Sequence, residues 1–278
     1  MQPEHSRFAV AVAAPVAFLL AALSLGGILT NAYAWETPAW EAQAVGQDWF
    51  DLIVAVPWLL LCGAGARNGS YRWGVLLAGA YGYVVYEMVI YAFSIHFNSL
   101  FLVYVTTLGL AGWALIALAL DLSRRIEPVD ARGSKIGAWV LIAIGGLFSL
   151  LWLAEDLPAV LANRPPPTLV ETALFTNPVH VIDLAFVLPA HVVAGVWLLK
   201  RRATGELLGP VVLAFGVLMA ASIGGMMIVM KARGVAAEPV VTVAMLLTAA
   251  VTAIVLVRVL RGHPQPRSTM TSGAPGVG

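Results

Sequence analysis

The sequence predicts an all-α integral membrane protein, a helical bundle of about eight transmembrane helices. Of the 278 residues, 60% are hydrophobic and only 11% are charged, and the mean hydropathy is +0.87. Soluble domains carry about 25% charged residues, so this chain lacks the charge needed to cover a water-facing surface. Apolar stretches that are long enough to cross a hydrocarbon core of about 30 Å recur along the chain.

Polar and turn-forming residues separate these stretches and define one transmembrane domain over residues 1–262. Residues 263–278 are rich in Pro, Ser, Thr and Gly without an apolar period, which predicts a disordered cytoplasmic tail. The predicted spans are 8–29, 48–66, 73–94, 98–121, 135–157, 178–200, 207–230 and 238–261.

The first span also resembles a secretory signal, because Ala-Tyr-Ala at 32–34 has the small residues of a cleavage site. Its apolar part, 8–29, is 22 residues long. Signal-peptide cores are shorter, at about 7–15 residues. We therefore expect this segment to remain as the first span.

Lysine and arginine residues predict the orientation, since short loops rich in them stay on the cytoplasmic side. With the N-terminus inside, thirteen of the sixteen basic residues fall on the inner side. The three outside are Arg164, Lys231 and Arg233. The bias predicts cytoplasmic N- and C-termini and a plasma membrane of the bacterial inner-membrane type, with the lipid bilayer as partner.

The two halves of the chain contain a similar pattern. Matched residues are offset by 132 positions: Asp51, Leu52, Pro57 and Gly63 correspond to Asp183, Leu184, Pro189 and Gly195. This predicts two parallel four-helix repeats, 8–121 and 135–261, related by an axis along the membrane normal. The alternative is chance similarity between two apolar helices that follow acidic loops.

A few ionisable residues lie within the predicted spans, where a charge costs at least about 2.5–3.5 kcal/mol. Glu87 is near the middle of the third span, with Tyr83 and Tyr91 on the same helix face. His180, Asp183 and His191 share one face of the sixth span, and Asp51 lies near the outer end of the second. We predict that the two stripes meet in a polar cavity open to the outer face, with Asp183 and His191 as partners of Glu87.

Structural roles are the alternative for several of these residues. At a helix N-terminus Asp51 would stabilise the helix dipole by about 0.3–1 kcal/mol. His191 would serve as an interhelical hydrogen-bond partner. Glu87 is the hardest to explain by structure alone, because no lysine or arginine lies near it along the span.

Several classes of function lack support in the sequence. A net charge of +1 and the absence of a basic stripe argue against nucleic-acid binding. Cys62 is the single cysteine, so neither an internal disulfide nor a cysteine-rich metal site is possible. We find no zinc-protease, nucleotide-binding or serine-hydrolase motif, and we assign no cofactor, metal or catalytic residue.

The leading hypothesis is a protein that binds or transports a small solute or ion through the outer polar cavity. The alternatives are an intramembrane enzyme acting on a lipid-soluble substrate and a structural or regulatory membrane subunit. A cavity continuous with outer water favours transport, and one that opens sideways to lipid favours the enzyme. The absence of any cavity favours the subunit.

Overall fold

A computed structural model describes residues 4–261, with side chains from Ser6 onward, and confirms the all-α polytopic bundle. Eight helices in this part of the chain are long and apolar enough to cross a membrane. The predicted tail at 263–278 lies outside the described residues. The spanning helices are α1 (Ser6–Leu29), α2 (Pro38–Ala66), α3 (Tyr71–Ser94), α4 (Phe101–Ser123), α5 (Ala131–Leu161), α6 (Pro178–Leu199), α7 (Ala203–Ala232) and α8 (Pro239–Arg261).

Three of the helices are irregular. Helical residues begin at Glu4, and a turn at Val12 divides Glu4–Ala11 from Ala13–Leu29. Pro15 accounts for this turn, because it has no N–H to bond the carbonyl four residues earlier. The helices α2 and α6 each contain one π-helical segment, Asp51–Ala55 and Asp183–Val187. A short helix, Pro167–Thr172, lies between α5 and α6.

Each π segment begins at an aspartate and ends two residues before a proline. The N–H of Val56 bonds to the carbonyl of Asp51, and the N–H of Leu188 bonds to that of Asp183. This shift to a five-residue spacing pairs the next carbonyl with Pro57 or Pro189, which has no N–H. The wider turn therefore distributes the distortion caused by one missing backbone hydrogen bond over several residues. The aspartate stays within the bundle.

The helices form two groups of four. In the first group α1 packs on α2 and α4, and α3 packs on α2 and α4; the second group repeats this arrangement with α5 to α8. Contacts of α7 with α3 and α2, and of α3 with the start of α6, join the groups. At the crossing of α3 and α7, a Cβ added to Gly79 would lie 2.5 Å from the Cβ of Ala214. The interface between the groups therefore depends on a glycine.

The bundle has two chemically different ends. We call the end with segments 30–37, 95–100, 162–177 and 233–238 the acidic end, and the end with 67–70, 124–130 and 200–202 the basic end. At the acidic end, Arg233 bonds to Glu41 at 2.6 Å. Also at this end, Glu36 accepts hydrogen bonds from the backbone and ring of His96. At the basic end, Arg125 joins Asp121 to the Gly69 carbonyl.

The observed helices extend beyond several predicted spans, most of all α2, which begins ten residues earlier than the predicted 48–66. Asp51 is consequently an interior residue of a continuous helix and does not lie near its start. Its expected interaction with a helix N-terminus is therefore wrong. Thr37 occupies that position and accepts a hydrogen bond from the N–H of Trp40.

Candidate functional site

The deepest polar feature is a pair of carboxyl groups, Asp51 on α2 and Glu87 on α3. Asp51 has no exposed surface and Glu87 is 4% exposed. The two side chains lie within hydrogen-bonding range of each other. Yet Asp51 Oδ2 and both carboxyl oxygens of Glu87 receive no hydrogen bond from a protein donor. Two ionised carboxylates have no donor between them, so a direct bond within the pair requires one proton.

Tyr83 and Gln47 hold the remaining oxygen of Asp51. The Tyr83 hydroxyl donates to Asp51 Oδ1 at 2.7 Å, and the Gln47 amide donates to the same oxygen at 3.3 Å. Gln47 also donates to the Tyr83 hydroxyl. Because Gln47 and Asp51 are four residues apart, the helix itself aligns their side chains.

A third carboxyl, Asp48, lies one turn nearer the acidic end. It accepts hydrogen bonds from Tyr33 at 2.8 Å and from Tyr91 at 3.2 Å. Burial, strengthened by the Asp48 carboxyl, raises the pKa of Tyr33 far above its usual value, so this hydroxyl remains a donor at any pH in cells. A side chain at Gly27 would overlap both partners. The glycine on α1 therefore leaves space for this bond.

A separate polar group surrounds Asp183 on α6. Trp152 Nε1 donates to Asp183 Oδ2 at 2.8 Å, and the Tyr86 hydroxyl lies close to this carboxyl. The ring of His180 stacks on Trp152 with centroids 4.3 Å apart, and His180 Nδ1 lies 2.9 Å from Asp156 Oδ1. Tyr86 directly precedes Glu87 on α3, so two adjacent residues of this helix reach the polar group around Asp183 and the Asp51–Glu87 pair.

A cavity of about 310 Å³ lies between the two four-helix groups at the acidic end. Its wall includes Gln47 and Tyr91, which bond to Asp51 and Asp48, and also Tyr86 and His180 of the polar group around Asp183. Lining residues near the acidic-end segments are Trp40, Ile95, Thr168, Thr172, Leu174 and Asn177. Water from that end can therefore approach both polar groups.

The structure brings the predicted residues together in a different combination. Asp51 and Tyr83 contact Glu87, and Tyr91 contacts Asp48. Asp183 instead accepts from Trp152 and lies near Tyr86, and His180 bonds to Asp156.

His191 lies apart from both groups, and its Nδ1 donates to the Val187 carbonyl at 2.7 Å. The cross-helix partner of Glu87 in this structure is Asp51, and the expected pairing of Glu87 with Asp183 and His191 is not what the contacts show.

Three contributing residues were not foreseen, Gln47, Tyr86 and Trp152, whereas Asp156 was expected only as part of an acidic outer loop above the cavity. The four-residue spacing of Gln47 before Asp51 was a usable signal. Tyr86 lies about 100° around α3 from Glu87. The prediction from sequence considered only the helix face that carries Glu87 and therefore did not include Tyr86. Trp152 resembles any aromatic residue of an apolar span, and only the packing of α5 on α6 reveals its role.

Within the described residues, no group of three or more His, Cys, Asp or Glu side chains is placed to hold a metal ion. The chain matches no protein-family model, no curated protein and no solved structure.

Proposed function

We propose that this multi-pass membrane protein binds and transports a small organic cation through the acidic-end cavity, in exchange for a proton held by Asp51 and Glu87. The observation that carries the proposal is the position of Gln47. It lines the cavity and donates to Asp51, so one side chain separates the ligand space from the buried pair.

The pair is suited to exchange a proton for a cation. In the empty site one proton allows Asp51 and Glu87 to bond to each other. At an effective dielectric constant near 20, a cation about 6–8 Å away stabilises the ionised pair by roughly 2 kcal/mol. Binding the cation therefore favours release of the proton, and reprotonation favours release of the cation.

The cavity wall indicates which cations fit. Aromatic rings from both groups face it, including Trp40, Tyr86, Tyr91 and Trp152. An organic cation over an aromatic face gains about 0.5–2 kcal/mol. Among the described residues of this wall, Glu155 is the acidic side chain, and there is no lysine or arginine. A small alkylammonium group satisfies both features.

Choline and its neutral isostere 3,3-dimethylbutan-1-ol provide the test. We expect the purified protein in lipid nanodiscs to bind choline at least about tenfold more tightly, because only choline gains the cation–π and carboxylate terms. Isothermal titration calorimetry in two buffers of different ionisation enthalpy would also report proton release. Equal affinity for the two compounds would contradict the proposal.

The proposal includes an orientation with the acidic end outside and both termini in the cytoplasm. In a Cys62→Ala background, we expect an impermeant maleimide to label Ala162→Cys and Ala236→Cys in intact spheroplasts. Asn68→Cys and Thr204→Cys should react only after permeabilisation. All four positions are exposed at loops or helix ends, and Cys62 is buried. Labelling of either basic-end cysteine from outside would refute this orientation.

The proposal also treats the two halves as copies of one four-helix unit. Two features support this: the π segments begin at residues 51 and 183, with the same offset as the sequence match, and both groups pack in the same order. A role as a purely structural subunit explains neither the cavity nor the unpaired carboxyl oxygens.

A further inference from the structure

A second and larger cavity, of about 490 Å³, lies inside the second four-helix group. Residues of α5, α6, α7 and α8 line it, and its wall is almost wholly apolar. Trp152, Glu155, Met219 and Ile223 line this cavity and the acidic-end cavity alike, so they form the partition between them. The proposed cation site does not require this second space.

The cavity opens between α5 and α8. Near the basic end these helices touch, since a Cβ added to Gly137 would lie 3.1 Å from Val259 Cγ2. Toward the acidic end both helices contribute lining residues that are also exposed on the outside of the bundle, such as Leu151 at 54% and Val241 at 41%. At this depth the surroundings are lipid, so a molecule would enter sideways from the bilayer.

The most informative polar group in the wall is His191, which is 3% exposed. Its Nδ1 bonds to a carbonyl, which only accepts, so Nδ1 carries the hydrogen and Nε2 of the neutral ring is an acceptor. No donor among the described residues bonds to Nε2. Gly216, also in the wall, is beside it, and a Cβ there would lie 3.5 Å from Nε2.

We propose that this cavity binds an uncharged, hydroxyl-bearing lipid-soluble molecule, whose hydroxyl donates to His191 Nε2 and whose chain extends between α5 and α8. Asp183 and Glu155 in the wall disfavour an anion. An ammonium group would carry its charge into an apolar space, which is costly without a free counter-charge. Asp183 already accepts from Trp152, and Glu155, which also lines the acidic-end cavity, accepts from Thr168. A hydroxyl supplies the missing donor at the lowest desolvation cost.

A photoreactive long-chain alcohol with a mid-chain diazirine tests the site in the full-length protein in nanodiscs. We expect saturable adducts on the cavity-facing residues of α5 and α8, located by peptide mass spectrometry and displaced by the unlabelled alcohol. The methyl ether of the probe cannot donate, so it should label about three- to tenfold less. Equal labelling by alcohol and ether would overturn the hydrogen bond to His191. Non-saturable labelling around the whole bundle would overturn the site.

Gly216→Ala provides a matched variant. Its methyl group makes ordinary contacts, so the protein should fold with an unchanged or higher melting temperature. The methyl would lie 3.5 Å from Nε2 and crowd the space beside it, where a ligand hydroxyl has to approach to about 2.7–3.0 Å. We expect about tenfold weaker labelling. The control is Gly146→Ala on α5, where the Cβ meets no atom within 4 Å and labelling should be unchanged. Wild-type labelling in Gly216→Ala would refute the assignment. Choline binding is measured in a separate experiment, so the proposed cation site can be refuted or supported independently of this second site.

Discussion

Replacing Glu87 by Gln should leave the protein folded and reduce choline affinity roughly thirtyfold. Gln preserves the shape of the side chain and supplies an amide donor to Asp51, which removes the need for a shared proton. It also removes the negative charge that stabilises a cation across Gln47, an interaction of roughly 2 kcal/mol at an effective dielectric constant of 20. Titration calorimetry should show in addition that choline no longer releases a proton.

Glu238→Gln is the control for this change, because Glu238 is an exposed acid at the acidic end. It should alter neither affinity nor proton release. Asp51→Asn is a second test at the same pair, since Asn can still accept from Tyr83. If Glu87→Gln and Asp51→Asn both bind choline as tightly as the wild type and release the same proton, the buried pair is not the exchange site.

Enlarging Gly79 should destabilise the contact between the two four-helix groups more than any other single-methyl change at this crossing. A Cβ there would approach the Cβ of Ala214, the backbone N of Phe215 and the carbonyl of Val211 to within 2.5–3.0 Å. Two of these atoms are backbone, so the helices themselves must separate. Overpacking of this kind costs about 1–3 kcal/mol. We expect Gly79→Ala to lower the melting temperature by about 5 °C and Gly79→Val to lower it further.

Gly109 on α4 is the matched position, because a Cβ there meets nothing within 4 Å. Gly109→Ala should be neutral or slightly stabilising, since alanine favours the helix. Scanning fluorimetry of the detergent-purified variants, with size-exclusion chromatography to detect aggregation, compares the two pairs. A Gly79→Val protein as stable as Gly109→Val would mean that α3 and α7 do not approach as closely as described.

Hydropathy was sufficient to predict eight helices, because each one must bury its own backbone hydrogen bonds in an apolar span. The same reasoning placed the start of α2 at residue 48. Residues 38–47 include Gln43 and Gln47, which resemble a loop by composition. In the fold they face the cavity between the groups, so polar residues are tolerated there. A hydropathy window averages over all faces of a helix. It therefore cannot detect that the polar residues lie on the one face that is shielded from lipid.

The sequence identified several of the buried polar residues, but not which of them contact one another. The depth of Glu87 and the absence of a nearby cation identified it as unusual from the sequence alone. Periodicity then gave its neighbours on α3, Tyr83 and Tyr91. Which helix faces α3 depends on tertiary packing, and the arrangement places α2 opposite Glu87. Asp183 meets the adjacent Tyr86 instead.

The depth of Glu87 also subjects the proposed site to the membrane potential. Glu87 lies seven residues before the end of α3, about 10 Å from the acidic end at 1.5 Å per residue. A cation entering from that end would cross roughly a third of the electric field, which corresponds to about 0.7 kcal/mol per 100 mV. With the acidic end outside, the proton that the cation replaces leaves through the same part of the field, so the exchange moves almost no net charge and the affinity should depend little on the potential. An energised cell and a depolarised vesicle should therefore load this site to a similar extent.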